Sequence, residues 1–281
     1  MSFTGVSHRG CLRAILMAVA CAAGACTSQP RVLTLGTTTS VANSGLLDVL
    51  AAAYQQRTSV SVRSHLVGSG RALVMLDAGE VDAALTHAPA AEATALRDHP
   101  AWRYVKVMFN DFIVVGPRAD PAGARQCSTA VQAMHNIAAS SARFISRGDG
   151  SGTHERELVL WAQAATRPAT SRLVVAGAGM GTTLRIAAET QAYTLTDRAT
   201  FTQQDVDLAI LVEHDPVLIN TYAVLVNTRG ASASEATRFS SWLADGAGRD
   251  TIAQFRVGPR HTAAFVPWPV NRPRGRPTDL P

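Results

Sequence analysis

The sequence predicts an α/β protein with mostly parallel strands, folded as two lobes. Two patterns carry this reading. Along about 235 residues, Val32 to Pro267, apolar strand-like runs alternate with polar turns and amphipathic helical stretches, the order expected when helices connect parallel strands. Two further apolar strands lie far apart in the chain, "NDFIVVGPRADPAG" (Asn110 to Gly123) and "NTYAVLVNT" (Asn220 to Thr228). They read as crossings between lobes.

Taken in order, "RVLTLG" is a strand, "TTTSVANSG" a turn, and "LLDVLAAAYQQR" a helix with Leu46, Leu47, Leu50 and Tyr54 on one face. "VSVRSHLV" is the next strand. "GSGRA" then opens the helix "LVMLDAG", with Gly79 as its stop. Downstream, "ARFIS" leads into "SRGDGSGTHE" and its helix, and "SRLVVAG" leads into "AGMGTT" and "LRIAAETQ". These four strand-to-helix turns are rich in Gly, Ser and Thr, and in open α/β sheets such turns sit where ligands bind. If the chain leaves the first lobe at one crossing and returns at the other, that lobe is discontinuous: residues 31–112 and 224–265, with 113–223 as the second lobe and 266–281 a loose tail rich in Pro and Arg. A cleft between the lobes, with the crossings as hinge, is the expected binding site.

Residues 1–25 carry Arg9, Arg13 and the apolar run "AILMAVACAAGA", closed by small residues, which reads as a secretory signal. Its 12 residues fall short of the ~20 that cross a bilayer as a helix. "AAGAC" resembles a bacterial lipobox with Cys26 as the lipidated residue, although Ala23 stands where leucine is usual. Ordinary cleavage near Ala25 is the alternative. With Cys11, Cys21 and Cys26 so assigned, Cys127 is left without a partner, and no disulfide is expected.

The formal net charge is +5, or +3 once Arg9 and Arg13 depart. No basic stripe interleaved with aromatics accompanies it, so nucleic-acid binding is not expected. "HER" at His154 is not an HExxH helix, and neither a metal site nor a cofactor is expected.

Three kinds of chemistry compete for "SRGDGSGTHE". A phosphate loop needs GxxxxGK[ST], and no lysine is near. A nucleophile elbow needs G-x-S-x-G, but Asp149 stands where the first glycine belongs before Ser151. A secreted serine hydrolase would also need a histidine base, with His87, His154 and His214 as candidates that spacing cannot place. An oxyanion cradle needs converging donors: hydroxyls of Ser151 and Thr153, free amides at a helix start, and the fixed fork of Arg147. A capped helix start, with Ser151 as N-cap and Glu155 and Glu157 complementing the dipole, describes the same residues. Capping leaves unexplained why three other turns repeat the chemistry.

The ordered set "TTTS", "GSGRA", "VDAALTHAP", "NDFIVVGPRADPAG", "SRGDGSGTHERE", "GAGMGTTL", "AYTLTDRATF", "LAILVEHDPVLINTY" and "FSSWL" resembles the tungstate-binding proteins of bacterial ABC importers, from Leu33 to about Phe265. The resemblance implies a type II periplasmic-binding-protein fold with one tungstate or molybdate in the interlobe cleft. It also implies delivery to an inner-membrane permease driven by a separate ATPase, no enzymatic activity, a periplasmic location and a monomer. Carried over by motif, it implies anion contacts at Thr38, Thr39, Ser40 and Ser69 from the first lobe. From the second lobe it implies Arg147, Ser151, Gly152 and Thr153, with the amides of Met180 and Gly181. Arg71 and Ala178 stand where the family pattern suggests glutamine; Arg71 would either add charge to the rim or point to solvent.

A selective phosphate receptor needs a carboxylate to accept the proton that phosphate keeps at neutral pH. Similar phosphate-binding proteins place an Asp where this chain has His87, whereas tungstate, molybdate and sulfate need only donors. His87 is read first as a satisfied histidine lining the lobe. Asp149 is expected to orient Arg147 or Arg198, leaving donors for the anion. Leu158 and Trp161 read as core, and Asp197 with Arg198 as a structural ion pair. A phosphate or sulfate receptor of the same fold, and the hydrolase, remain as alternatives. A regulatory ligand-binding domain is disfavoured by the signal segment.

Overall fold

The computed structural model describes residues 1–2, 31–258 and 261–281. The expected signal segment and Cys26 therefore lie outside the described residues.

The chain begins with β1 (Arg31–Thr37), α1 (Thr39–Asn43), α2 (Leu46–Thr58), β2 (Val60–Leu66), α3 (Ser69–Asp77), β3 (Ala83–Thr86) and α4 (Pro89–Asp98). Gly45 at φ +81° turns the chain into α2, whose Leu46, Leu47, Leu50 and Tyr54 are all buried. The long β4 (Trp102–Gly116) follows. Then come α5 (Ala130–Ala139), β5 (Phe144–Ser146), α6 (Gly152–Gln163), β6 (Leu173–Val175), α7 (Met180–Glu189), β7 (Thr194–Asp197), α8 (Arg198–Gln203) and β8 (Ala209–Val212). The chain returns through β9 (Ile219–Asn227) to α9 (Ala233–Asp245), α10 (Ala247–Gln254), β10 (Arg256–Val257), β11 (Thr262–Ala263) and β12 (Val266–Pro267).

β4 belongs to two sheets in succession. From Trp102 to Asp111 it pairs with β9, and from Phe112 to Gly116 with β7 and β8. The first-lobe sheet runs β12-β4-β9-β3-β1-β2. In the second lobe β6 lies parallel to β5, and Phe144 of β5 forms a parallel bridge with Tyr193, the residue just before β7. Separate apolar cores follow. Leu33, Leu35, Leu50 and Val224 lie in one, and Phe112, Met134, Trp161 and Tyr193 in another.

Strand polarity departs from the expected mostly parallel arrangement. β1, β2 and β3 are parallel, but β9 and β4 run antiparallel to their neighbours. A strand that carries the chain between lobes has no connecting helix to restore its direction, so it enters each sheet reversed. β9 joins the first-lobe sheet from Ile219 onward, ahead of the boundary expected at residue 224.

The terminal segment expected to be loose is packed. β12 pairs with β4 at Phe109 and Met108, and Trp268 is fully buried. Its indole Nε1 donates to the Pro273 carbonyl at 2.9 Å, and the Lys106 amide donates to the Arg274 carbonyl at 2.9 Å. The buried Lys106 ammonium donates to the carbonyls of Pro277, at 2.8 Å, and Asp279, and lies 4.9 Å from the Trp268 ring centroid. Arginine and proline content suggested a solvated tail; one tryptophan and a buried lysine decide otherwise.

Candidate functional site

Parallel strands within each lobe point their carboxyl ends the same way, and the turns after β1 and β3 meet the turn after β5 through Thr39 with Arg147 and His87 with Gly152. After β1, Thr38 is extended (φ −93°, ψ 154°) and caps α1 without a side-chain bond. The buried Thr38 Oγ1 and Ser40 Oγ have no hydrogen-bond partner. After β2, Gly68 opens α3, and the fully buried Ser69 accepts the His87 amide at 3.3 Å. Arg71 points outward and pairs with Glu80 at 3.4 Å, so it is not part of the rim.

The turn after β5 is folded by Gly148 and Gly150, at φ +64° and +70°, a backbone region natural to glycine. Ser151 caps α6 by accepting the His154 amide at 3.4 Å, and Asp149 Oδ1 accepts the Ser151 amide at 3.1 Å. Its other oxygen accepts Arg147 Nε at 2.8 Å, placing Asp149 against Arg147, one of the two arginines considered for it. The Arg147 side chain is only 4% exposed. Nη1 reaches Thr153 Oγ1 and Nη2 reaches Thr39 Oγ1 in the other lobe, both at 3.3 Å. Both bonds are long for a guanidinium.

Glu157 does not complement the helix dipole in solvent. It is buried under the turn and accepts Ser146 Oγ at 2.9 Å and Trp161 Nε1 at 3.2 Å. Burial pushes its carboxyl up, with those bonds opposing. Trp161 is core as expected, but Leu158 is 40% exposed: it lies beyond the edge of the buried face of α6, which carries Glu157, Leu160 and Trp161. After β6, Gly179 opens α7 without a side-chain cap. The Met180 side chain is buried in the core with Ile113 and Ile145, which leaves its amide and that of Gly181 at the helix start as the groups available to a ligand.

Two residue groups differ from their sequence reading. The first is at β7, where Asp197 and Arg198 do not pair. Arg198 binds Asp111 at 2.7 Å and Glu213 at 2.7 Å, while Asp197 Oδ1 caps α8 through the Thr200 amide at 2.8 Å. Asp197 Oδ2 and Thr200 Oγ1 are buried without partners. Burial raises the Asp197 carboxyl; the bond from the Thr200 amide and the Arg147 charge oppose this. A strand-to-helix turn was legible in "TLTDRATF", but it lacks the glycines that marked the others.

The second group links His87 to the crossing strands. Asn220 Nδ2 donates to Asn110 Oδ1 at 2.8 Å and to the Tyr222 hydroxyl at 2.9 Å. Its Oδ1 therefore accepts His87 Nδ1–H at 3.1 Å, which fixes the tautomer and leaves Nε2 as an acceptor. The ring stacks on Tyr222 at 4.9 Å. His87 Nε2 has no partner, so the expected satisfied histidine is satisfied on one side only.

Among the described residues, buried polar side-chain atoms without partners occur on Thr37, Thr38, Ser40, His87, Asn110, Asp197, Thr200 and Trp242. All but Trp242 lie where strands end at the cleft or cross it. Unpaired buried polar groups are costly, which makes this region the candidate site. No cluster of His, Cys, Asp or Glu suited to a metal ion occurs among the described residues.

Residues 23–246 match the PBP superfamily domain. The chain belongs to the PBP superfamily. This PBP chain is 38% identical over 241 residues to the tungstate-binding protein TupA of Peptoclostridium acidaminophilum, covering 83% of this chain and 84% of that one. The crystal structure of the tungstate ABC transporter from Geobacter sulfurreducens aligns at TM-score 0.72 with 38% identity, over 80% of this chain and 98% of that one. The tungstate-binding protein TupA from Desulfovibrio alaskensis G20 aligns at TM-score 0.73 with 39% identity, over 85% and 99%. The fold of this PBP chain is the type II periplasmic-binding fold, and its relatives are binding proteins rather than enzymes.

Proposed function

We propose that this chain is the substrate-binding component of an ABC importer and binds tungstate, or molybdate, as a fully deprotonated tetrahedral anion between its lobes. The observation that carries this reading is Arg147, buried and reaching hydroxyls of both lobes, among buried hydroxyls without partners. The cradle consists of Thr38, Thr39, Ser40 and Ser69 facing Arg147, Ser151, Gly152 and Thr153, with the amides of Met180 and Gly181. These are donors, which suits an anion that has no proton to give. The names of the relatives support the same ligand.

Residues 31–112 and 224–265 would form one lobe and 113–223 the other, rocking about β4 and β9. Anion bridging the lobes favours the closed arrangement. The mature chain would be a monomer outside the cytoplasm, tethered through a lipidated Cys26, delivering its anion to a permease with a separate ATPase and using no cofactor. The hydrolase alternative is not supported by the geometry: Ser151 Oγ serves as a helix cap and, among the described residues, is hydrogen-bonded to none of the rings of His87, His154 and His214.

Calorimetric titration of the purified mature protein with tungstate, molybdate, sulfate and phosphate tests the reading. Heat with phosphate alone would overturn the dianion argument, and no heat with any anion would overturn the receptor. Arg147→Ala should weaken tungstate binding about 100-fold or more with an unchanged circular dichroism spectrum; unchanged affinity removes Arg147 from the cradle.

A further inference from the structure

The geometry points to Asp197 as a further anion-binding residue, acting as a neutral carboxylic acid whose Oδ2–H donates to an oxygen of the anion. The inference rests on the oxyanion reading above. β7 runs parallel to β5 through the Phe144 and Tyr193 bridge, so Asp197 at the end of β7 and Arg147 at the end of β5 emerge at the same edge. On β4, Asp197 stands opposite Phe112, two residues beyond the crossing Asn110. Its Oδ1 is committed to the Thr200 amide. Its Oδ2 is the one buried carboxylate oxygen without a partner among the described residues.

Charge decides the protonation state. Arg147 is the buried cation of the cleft, and Asp149 already engages it. A dianion and an ionised Asp197 beside that pair would put like charges within a few ångströms in a site sealed from water, where one of them must take a proton. The other charged or titratable groups packed around Asp197 do not relieve this. Arg198 on its own helix is turned to Asp111 and Glu213. Glu157 on α6 faces Ser146 and Trp161. Tyr222 on β9 is neutral, its hydroxyl held well above its ordinary value by burial. His87 gives its proton to Asn220 and offers no second one. No neighbouring group supplies the proton, so it comes from solvent, one proton taken up as the anion binds and the lobes close.

Two substitutions keep the α8 cap, since Asn and Ser both serve there. Asp197→Asn replaces the O–H donor with an N–H donor, whereas Asp197→Ser withdraws it from the cleft. Tungstate titrations run near pH 8 in two buffers of different protonation enthalpy should show about one proton taken up per anion by the unaltered protein. Asp197→Asn should bind with no proton uptake and with an affinity that does not fall as pH rises, whereas that of the unaltered protein should fall; Asp197→Ser should bind about 10- to 100-fold more weakly than Asp197→Asn, thermal melts confirming that both fold. Tungstate binding without proton uptake, uptake persisting in Asp197→Asn, or Asn binding as weakly as Ser would each overturn the role of Asp197. Absence of oxyanion binding by the unaltered protein would instead overturn the oxyanion reading itself.

Discussion

His87 shows how one residue can hold two structures together at a cost that depends on pH. Its ring is buried, stacked on Tyr222, and gives its Nδ1 proton to Asn220. Burial pushes the imidazole down from 6.5 to about 4, with the Asn220 bond opposing and the Arg147 charge adding to the depression. Between those two values the unfolded chain binds a proton that the folded chain refuses. Stability from this group is therefore complete above pH 6.5 and is lost as pH falls toward 4, by about 3 kcal/mol across the window. Buried carboxylates such as Glu157, held up by burial, act in the opposite sense, so the comparison must be with a variant. Urea unfolding of the protein and of His87→Asn without anion, at both ends of that window, should show their stability difference shifting by about 3 kcal/mol in favour of Asn on acidification. Parallel pH profiles would show that the imidazole charges freely in the fold.

Elements that bury one face of a helix or follow a strand with a glycine-rich turn were legible, because periodicity and turn chemistry are local. The helix after "TTTSVANSG" and the glycine-folded entry to α6 were of this kind. What the sequence could not disclose was pairing across the chain. Asp197 and Arg198 are adjacent yet serve different partners, and the Asn220 amide that orients His87 is distant in sequence. The terminal strap is the largest such case, since its order depends on Trp268 finding Val107 and Lys106. Its content is testable at the element scale. Trp268→Ala removes a fully buried ring and should lower stability by about 3–5 kcal/mol. Trypsin should then cut at Arg274–Gly275 faster than in the unaltered protein. An equal cutting rate in both would show that the strap is held by something other than the indole.

At the scale of the whole molecule, binding depends on how closely the lobes can approach, and Gly152 measures that distance. It opens α6 in the second lobe, yet the nearest atoms to a Cβ placed there belong to His87 of the first: Nδ1 and the backbone oxygen at 2.6 Å. Side-chain carbons do not come that close to a backbone oxygen, and His87 cannot swing away while Asn220 and Tyr222 hold its ring. A methyl group at 152 would thus be accommodated only by keeping the lobes apart. Within its own lobe the position is a helix start where alanine suits the backbone better than glycine does. Gly152→Ala should therefore leave the stability of the anion-free protein within about 1 kcal/mol, while weakening tungstate binding about 100-fold. Small-angle scattering separates this from simple loss of a contact. The unaltered protein should contract when tungstate is added, and Gly152→Ala at saturating tungstate should not. A variant that contracts normally but binds weakly would mean that Gly152 contributes through its amide alone and that closure does not bring α6 against His87.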